Sequence, residues 1–363
     1  MAYRFTLNES IPEAVRRIAH EQLGKACDHL DHAHSAEIDE AVHDVRTRCK
    51  KLRGLIRLVR PAMKNAEYQK ANAAFRDAAR QLSPIRDAHA LSSIFDDLVA
   101  AHADQVPTDG VSRIREGLSA RTQSASPAAS DRETQVARAR DLLRGMRSQV
   151  DRWTLDEDFE PVRAGLAKTY RRGRKRFADS LEQPSDEHLH EWRKRVKYSW
   201  YHMRLLRDSA PSVLKPLANR LHDLSDVLGD DHNLAVLTGQ LCSSRDEFGG
   251  AGEANEALII LDGRRADLQR RALRLGGSLY VERPSAFGRR MTGYWRVWQE
   301  HGEELAAGEI AELAPPDDGL DGLSRDELYQ RAQQFELAGR SSLGSMDRAE
   351  LVAVIRAAGG GRG

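Results

Sequence analysis

Apolar residues recur at helical spacing along most of the chain, and the clearest stretch runs from residue 42 to residue 60. The apolar positions in that stretch are Val42, Val45, Cys49, Leu52, Ile56 and Val59. Intervals of three and four residues place these side chains on one face of an α-helix. The pattern therefore predicts a helix that buries this face against neighbouring elements.

A line of basic and titratable residues lies one position further along the same stretch. Its members, which we call the first basic stripe, are His43, Arg46, Lys50, Arg53, Arg57 and Arg60. One residue advances an α-helix by about 100°, so the predicted helix carries a cationic face beside its apolar face. We expect this helix to stop at Arg60, because Pro61 follows.

The double pattern returns 147 residues later, in LHEWRKRVKYSWYHMRLLR. The second basic stripe consists of His190, Arg193, Lys197, Arg204 and Arg207, and Trp200 stands at the position of Arg53. The apolar face is repeated as Leu189, Trp192, Val196, Ser199, Met203 and Leu206. Because LGDDHNLAVL also overlays LSPIRDAHAL, we predict an internal duplication that extends beyond the stripes.

Capping and helix-breaking residues locate the other elements. Ser10 and Glu13 form a capping box, which predicts a helix from about residue 11 to residue 34. Further helices are predicted over 66–82 and 132–152, from LSPIRDAHALSSIFDDL, from PVRAGLAKTYRRGRKRF and after Ser185, whereas 104–110 and 122–131 are predicted as loops. Since β-branched runs are few and Asn-Gly pairs are absent, we predict an all-α chain.

Composition adds limits on the function. The 363 residues include 56 Lys and Arg against 55 Asp and Glu, so binding of a polyanion must depend on local clusters of charge. The three cysteines form no CxxC motif, which argues against a disulfide framework or a zinc site. No apolar leader and no run of 18 apolar residues is present, so we expect a soluble, cytoplasmic protein.

One group of potential metal ligands lies at the end of the first predicted helix. It contains Cys27, His29, Asp31, His32 and His34. A transition metal could bind such side chains. Alternate spacing suits an extended segment better than a helix end, however, so a solvated helix terminus is the favoured interpretation. No metal and no cofactor is predicted.

The basic stripes have two interpretations. A charged helical face is commonly just solvated, but such faces usually mix acids with bases. Neither stripe contains an acid, and the pattern occurs twice, which favours binding of anions. A further basic group, Lys168, Arg171, Arg172 and Lys175, falls on one side of the preceding predicted helix. His43 and His190 either hydrogen-bond to a neighbouring helix or donate to bound phosphate.

The duplicated, histidine-led basic helices and the order of the segments around them resemble the CHAD family, the conserved histidine α-helical domain. The resemblance covers about residues 3–300. It implies two pseudo-repeated four-helix bundles that face each other across a basic cavity, and binding of inorganic polyphosphate. It also implies that both basic stripes, with Lys168, Arg171, Arg172 and Lys175, line that cavity. The domain would span 1–301, with repeats over about 1–155 and 156–301.

Some CHAD domains are fused to a triphosphate-processing domain that carries an ExExK strand. This chain contains neither ExExK nor the GxxxxGK[ST] phosphate-binding loop. It also shows no paired carboxylates beside a basic stripe that could hold metal for phosphoryl transfer. We therefore predict binding without catalysis, with possible targeting to polyphosphate granules. A polyphosphate-acting enzyme would need metal-dependent turnover for which the sequence suggests no residues.

The C-terminal part has a different character. Residues 302–321 are acidic and then rich in Pro and Gly, which predicts a linker. Residues 322–358 resemble the N-terminal helical domain of Rho termination factor and related SAP-like units, with a capping box at Ser324 and Glu327. The resemblance implies nucleic-acid contact through Arg325, Arg331, Arg340, Arg348 and Arg356. Docking of protein is the alternative for this unit, and the rival function for the chain is a nucleic-acid-associated adaptor at the nucleoid.

Overall fold

The computed structural model of the chain describes residues 3–32, 38–101, 108–125, 128–248, 250–307, 323–333, 351–352 and 355. It contains two compact units, Met1–Gly302 and Glu303–Gly363. Every regular element in these described residues is helical, and no strand occurs among them. The all-α prediction is therefore confirmed.

Six α-helices form the first half of the larger unit. They are α1 (Ile11–His32), α2 (Ile38–Leu58), α3 (Asn65–Gln81), α4 (Ser83–Ala101), α5 (Thr108–Ala125) and α6 (Ala129–Val150), with a 3₁₀ turn, Arg60–Ala62, after α2. Helix α1 contacts α2, α2 contacts α3, α3 contacts α6, and α6 returns to α1. These contacts are compatible with the predicted first four-helix bundle.

Five further helices complete the larger unit. They are α7 (Glu160–Glu182), α8 (Asp186–Leu206), α9 (Pro211–Ser243), α10 (Ala251–Leu279) and α11 (Pro284–Ala307), with 3₁₀ turns at Arg207–Ser209 and Arg245–Phe248. Helices α7, α8, α9 and α10 contact one another in chain order, and α10 also touches α7. This packing is compatible with a second bundle.

Helix ends follow the capping residues of the sequence. The Ser10 N–H donates to Glu13 Oε2 over 2.9 Å, and the Glu13 N–H donates to Ser10 Oγ over 3.4 Å, which completes the predicted capping box at α1. Ser185 caps α8, because its Oγ accepts from the N–H of His188 over 3.3 Å. Helix α2 ends at Leu58, slightly before the predicted stop at Arg60.

Helix α5 corrects the loop predictions on either side of it. Residues 108–110, 122–125 and 129–131 are helical, whereas 104–107 and 126–127 lie outside the described residues. The buried side chains of Val111, Ile114 and Leu118 give α5 an apolar face. Burial of that face outweighs the turn-forming Ser, Thr and Gly residues that suggested loops.

The two halves differ where LSPIRDAHAL overlays LGDDHNLAVL. In the first half the chain breaks at Leu82 between α3 and α4, whereas α9 runs without interruption for 33 residues. Pro84 favours a break here, because proline has no N–H with which to continue the preceding helix. Asp230 stands at this position in α9. The break lets α4 turn and pack against α5 and α9.

The two halves meet where α2 packs on α8. Gly54 allows a close approach, since a β-carbon there would come within 3.0 Å of Tyr201 Cβ. The buried Nε2 of His202 lies 3.1 Å from the Gly54 carbonyl oxygen. Tyr3 also joins this contact, and its hydroxyl donates to the Lys51 carbonyl over 2.8 Å. The helices that carry the two basic stripes are thus packed directly together.

The smaller unit is described in part. Its helix α12 (Arg325–Gln333) begins with the predicted second capping box, in which the Ser324 N–H donates to Glu327 Oε2 over 2.7 Å. A small core contains Leu328, Ala332, Leu351, Val352 and Ile355. Arg340, Arg348 and Arg356 lie outside the described residues, as does 308–322 of the predicted linker. Nucleic-acid contact by this unit stays a prediction.

Candidate anion-binding site

The apolar faces of α2 and α8 are buried as the sequence predicts. All six positions of each predicted apolar face are buried, namely Val42, Val45, Cys49, Leu52 and Ile56 in α2 with Val59 directly after it, and Leu189, Trp192, Val196, Ser199, Met203 and Leu206 in α8. This burial fixes the rotation of both helices. It leaves the adjacent basic stripes at the edges of the core, where most of their side chains are half-buried.

The beginning of the first basic stripe lies beside the end of α3. His43 is exposed there. Arg46 donates to the carbonyl of Ala79 over 3.0 Å and also to the hydroxyl of Ser83. Such a cation near a helix C-terminus satisfies a carbonyl that has no partner within the helix. Arg46 therefore has a structural role in holding the α3–α4 junction.

The middle of the first basic stripe is held by a single amide. Asn72 Oδ1, on α3, accepts from Arg53 Nε over 3.2 Å and from Arg57 Nη2 over 3.4 Å. Lys50 is half-buried between Arg46 and Arg53 along the stripe. The amide is neutral, so it orients two arginines and leaves their charge uncompensated.

The stripe ends against two tyrosines. The guanidinium carbon of Arg57 lies 4.5 Å from the ring centroid of Tyr198 on α8, and that of Arg60 lies 4.5 Å from the ring centroid of Tyr68 on α3. Both distances are in the range of cation–π contacts. Each arginine is thus positioned by a different neighbouring helix.

These two arginines line a recess with cations from α7 and α8. Its lining residues are Arg57, Arg60, Tyr68, Gly165, Lys168, Thr169, Arg172, Arg195 and Tyr198. The recess has a volume of about 20 Å³. Five of the nine lining residues are cationic and none of these described residues is acidic. We call this group the cationic recess.

A close contact between helices creates the cationic recess. A β-carbon on Gly165 of α7 would overlap the carbonyl oxygen of Leu58 at the end of α2. Only glycine permits this approach. It brings the exposed cations Lys168 and Arg172 of α7 next to Arg57 and Arg60.

The positive charges of the recess are close enough to affect the pKa values of two of its side chains. The pKa of Lys168 is lowered by burial and by the neighbouring charges of Arg60, Arg172 and Arg171. The pKa of Arg172 is lowered by burial and then by Arg195, Arg57 and Arg60. Like charges disfavour protonated forms, so the recess is a region of positive potential that an anion would relieve.

The other two residues of the basic group predicted on α7 lie outside the lining of the cationic recess. Arg171 and Lys175 are exposed, and Arg171 is close enough to lower the pKa of Lys168. With Lys168 and Arg172, they follow the spacing 168, 171, 172 and 175, which is one face of a helix. They extend a line of positive charge along α7 away from the recess.

Arg195 is a member of the recess that the sequence pattern does not reveal. It lies two residues after Arg193, about 200° round the helix from the second basic stripe. Its Nη2 atom donates to Glu191 Oε2 over 3.1 Å, one turn earlier on α8. This pair is an ordinary helical ion pair in the sequence. Only the packing of α7 on α8 shows that Arg195 faces Arg172.

The second basic stripe lies along α9. The guanidinium of Arg193 lies beside Gly229, where a β-carbon would be 3.3 Å from the Arg193 Nε. Lys197 Nζ and the guanidinium carbon of Arg204 lie 5.7 and 5.0 Å from the ring of Trp200. Arg207 Nε is 3.5 Å from Asp208 Oδ1. None of these four cations is among the described residues that line the cationic recess.

His190, the first member of the second basic stripe, packs against another imidazole. Its ring centroid lies 4.2 Å from that of His232 on α9. Burial, together with the neighbouring His232, Lys194 and Arg193, lowers the pKa of His190 to about 4. His190 is therefore neutral near pH 7 and contributes packing rather than charge to this stripe.

The potential metal ligands at the end of α1 have separate partners. His29 Nδ1 lies 3.5 Å from Asp44 Oδ2, and His32 Nδ1 lies 2.8 Å from the Asp28 carbonyl oxygen. Asp31 accepts from Arg144 over 2.6 Å. No group of three or more His, Cys, Asp or Glu residues in the described part of the chain is arranged to hold a metal ion. His34 lies outside that part.

The fold and the basic helices agree with a family model. The model described as the CHAD domain matches residues 17–242, more than half of the chain. The chain belongs to the CHAD family. The match begins within α1 and ends at the close of α9, so it includes both basic stripes and every residue of the cationic recess. None of the curated proteins compared with the chain matches it.

Membership of the CHAD family associates the chain with polyphosphate in general terms. Helices α10 and α11 and the smaller unit lie beyond the matched residues. Among the described residues, no helix combines the length and the apolar composition that crossing a membrane requires.

Proposed function

We propose that this CHAD protein binds inorganic polyphosphate without converting it, and that the cationic recess is the centre of its binding site. The observation that carries the proposal is the convergence of five cations from α2, the 3₁₀ turn after it, α7 and α8 on one recess with no acid among its described lining residues. Burial and then repulsion between these charges lower the pKa values of Lys168 and Arg172. A bound polyanion would relieve that repulsion.

The residue types suit phosphate. Arginine presents a planar set of N–H donors that can bind two oxygens of one phosphate, whereas lysine supplies a compact charge. The recess contains both, with arginines at its wall and Lys168 at its exposed edge. The tyrosine and threonine hydroxyls add neutral donors.

A polymer fits better than a single phosphate ion. Beyond the recess, Arg171 and Lys175 continue the positive face of α7. A chain with one phosphoryl group in the recess would meet these exposed side chains in succession. The resulting contacts would share the binding energy over several phosphates, as in other electrostatic complexes with linear polyanions.

Binding would concentrate the protein on polyphosphate, which would explain a targeting role. We propose that binding places the protein on polyphosphate granules, where the smaller unit would be displayed to other partners. The proposed role involves no turnover, so incubation with polyphosphate and divalent metal should leave the chain-length distribution of the polymer unchanged.

A titration of the purified chain with long-chain polyphosphate at physiological salt tests the proposal. The variant Arg57→Glu/Arg60→Glu should lose at least about 100-fold in affinity, because two contacts become repulsive. The control, Arg274→Glu/Arg296→Glu, makes the same change of charge at exposed arginines outside the recess and should lose less than about threefold. Equal losses of affinity in the two variants would show that binding depends on net charge and not on the recess.

A further inference from the structure

Two stacked arginine–tyrosine pairs stand in the wall of the cationic recess. Arg57 lies over Tyr198 and Arg60 lies over Tyr68, both at 4.5 Å from guanidinium carbon to ring centroid. Stacking on a ring face restrains the plane of a guanidinium group while leaving its in-plane N–H donors able to bind. The two arginines therefore have restricted orientations before any ligand arrives.

Arg57 is restrained from a second direction as well. Its Nη2 donates to Asn72 Oδ1 over 3.4 Å. Its Nε is buried and has no hydrogen-bond partner among the described residues. Tyr198 and Asn72 thus fix the side chain, while one of its donors stays unsatisfied next to the recess. A buried donor of this kind gains from any acceptor that reaches it.

The recess is narrow and its walls resist widening. Its volume of about 20 Å³ accommodates roughly one water-sized group, since a single water needs about 10–15 Å³ by the same kind of measure. The contact of Gly165 with Leu58 makes one wall out of backbone. The buried ring of Tyr68 contributes another. Enlarging the recess requires breaking a stacked pair or moving α7 away from α2.

We propose that the recess determines specificity, and that Tyr68 and Tyr198 are the positioning residues that aim Arg60 and Arg57 into it. The inference rests on the proposed binding of polyphosphate. An oxygen of an unsubstituted phosphate chain can enter the narrow opening and meet fixed donors. Each internal phosphate of a nucleic acid is flanked by two sugars, whose bulk would have to lie against the walls around the opening, whereas a polyphosphate has only phosphoryl groups on either side. Nucleic acid is therefore restricted to the exposed cations of α7.

The test compares two polymers on the full chain. Long-chain polyphosphate and single-stranded DNA are titrated at matched phosphate concentration into the wild type, Tyr198→Leu and Tyr198→Phe. Tyr198→Leu should lower polyphosphate affinity about five- to tenfold, which lies between the effects of an exposed and a desolvated cation–π contact. It should leave the affinity for DNA unchanged. The salt dependence of binding to either polymer should also be unchanged, because no charge is removed. Tyr198→Phe keeps the ring face and should behave as wild type.

A second variant keeps the test decisive if Tyr198→Leu fails to fold. Arg57→Lys keeps the charge but loses the planar group, so it should lower the ratio of polyphosphate to DNA affinity to a similar extent. An unchanged ratio in both Tyr198→Leu and Arg57→Lys would overturn the specificity inference, even with polyphosphate binding intact. A loss in Tyr198→Phe equal to that in Tyr198→Leu would overturn positioning by the ring face. Failure of the wild type to bind polyphosphate would overturn the proposed function itself.

Discussion

The guanidinium group of Arg193 lies against Gly229 in the second half of the chain, as that of Arg46 contacts Ser83 in the first half. Arg193 corresponds to Arg46 in the duplicated sequence pattern, and Gly229 corresponds to Ser83. A small residue at this point leaves room for an arginine beside the next helix in both halves. Contacts at matching positions are what a duplication would produce.

The halves nevertheless differ in what their basic stripes contact, and we expect them to contribute unequally to binding. Arg57→Glu/Arg60→Glu should lower polyphosphate affinity at least about tenfold more than Arg204→Glu/Arg207→Glu. The reason is that Arg207 already lies beside Asp208, and that neither Arg204 nor Arg207 is among the described residues that line the cationic recess. Parallel titrations at one salt concentration measure the difference. Equal losses would indicate that both stripes bind the polymer alike.

Affinity should fall steeply with salt. Five cations line the recess, and Arg171 and Lys175 continue the positive face of α7. Release of counterions from about five phosphates along this surface gives a slope of about −3.5 in log affinity against log salt, by analogy with single-stranded nucleic acid. A fourfold rise in salt should then weaken binding about 100-fold. Lys168→Ala should make the slope shallower by about one contact. Binding that is flat over this range of salt would contradict a site made of these cations.

Gly165→Ala should damage both the fold and the site. The added methyl group would overlap the Leu58 carbonyl oxygen, and overpacking of this kind typically costs about 1–3 kcal/mol. Displacement of α7 would also separate Lys168 and Arg172 from Arg57, so polyphosphate affinity should fall with stability.

Gly24→Ala is the matched control for that substitution. Gly24 lies within α1, and a β-carbon there would have no neighbour within 4 Å. Since alanine favours helix over glycine by up to about 1 kcal/mol, this variant should be as stable as the wild type or more stable. Thermal unfolding of both variants measures the contrast, and a stable, fully binding Gly165→Ala protein would refute the role assigned to the close approach.

Acid should destabilise the interface between α2 and α8. Burial lowers the pKa of His202 to about 4 from an ordinary value of 6.5. In the unfolded chain, the His202 imidazole therefore becomes protonated as the pH falls below about 6.5. In the folded chain it stays neutral until about pH 4. Stability is intact above pH 6.5 and falls through this window, by about 3 kcal/mol for this residue.

Denaturant unfolding between pH 7 and pH 4 measures that loss. His202→Gln can keep a donor for the Gly54 carbonyl without titrating, so its stability should depend less on pH than that of the wild type. His190 also has a pKa lowered to about 4 and should account for part of the remaining slope. An identical pH profile in His202→Gln would show that His202 is not the titrating group.

Removal of residues 310–363 should leave polyphosphate binding within about twofold of the full chain, because every residue of the recess lies between 57 and 198. Under the rival hypothesis, a nucleic-acid adaptor, the same deletion should abolish binding to DNA or RNA. Titration of both forms with polyphosphate and nucleic acid separates the two functions. Loss of polyphosphate affinity on deletion would count against the recess as the principal site.

The sequence predicts those features that depend on local spacing. The buried faces of α2 and α8 follow from intervals of three and four residues, and the capping boxes at Ser10 and Ser324 follow from pairs three residues apart. Such signals are contained in one helix and need no knowledge of its neighbours. The all-α fold and the buried apolar faces are accordingly confirmed.

The composition of the recess depends instead on how helices cross. Arg195 looks like half of an ordinary ion pair with Glu191, and Tyr68 and Tyr198 belong to neither basic stripe. Their joint position is set by the approach of Gly165 to Leu58, which no periodicity encodes. Helix α5 was mispredicted for a related reason, since burial of its apolar face by distant residues stabilises it.

The break at Leu82 has a consequence for the order of folding on the ribosome. It redirects the chain into α4 and α5, and α5 packs on the 3₁₀ turn Arg245–Phe248. Arg121 of α5 donates to Glu247 over 2.7 Å, across 126 residues of sequence. Translation must therefore pass through α7, α8 and α9 before this surface of the first half can be covered. The first half of the chain can therefore finish folding only after the second half has been synthesised.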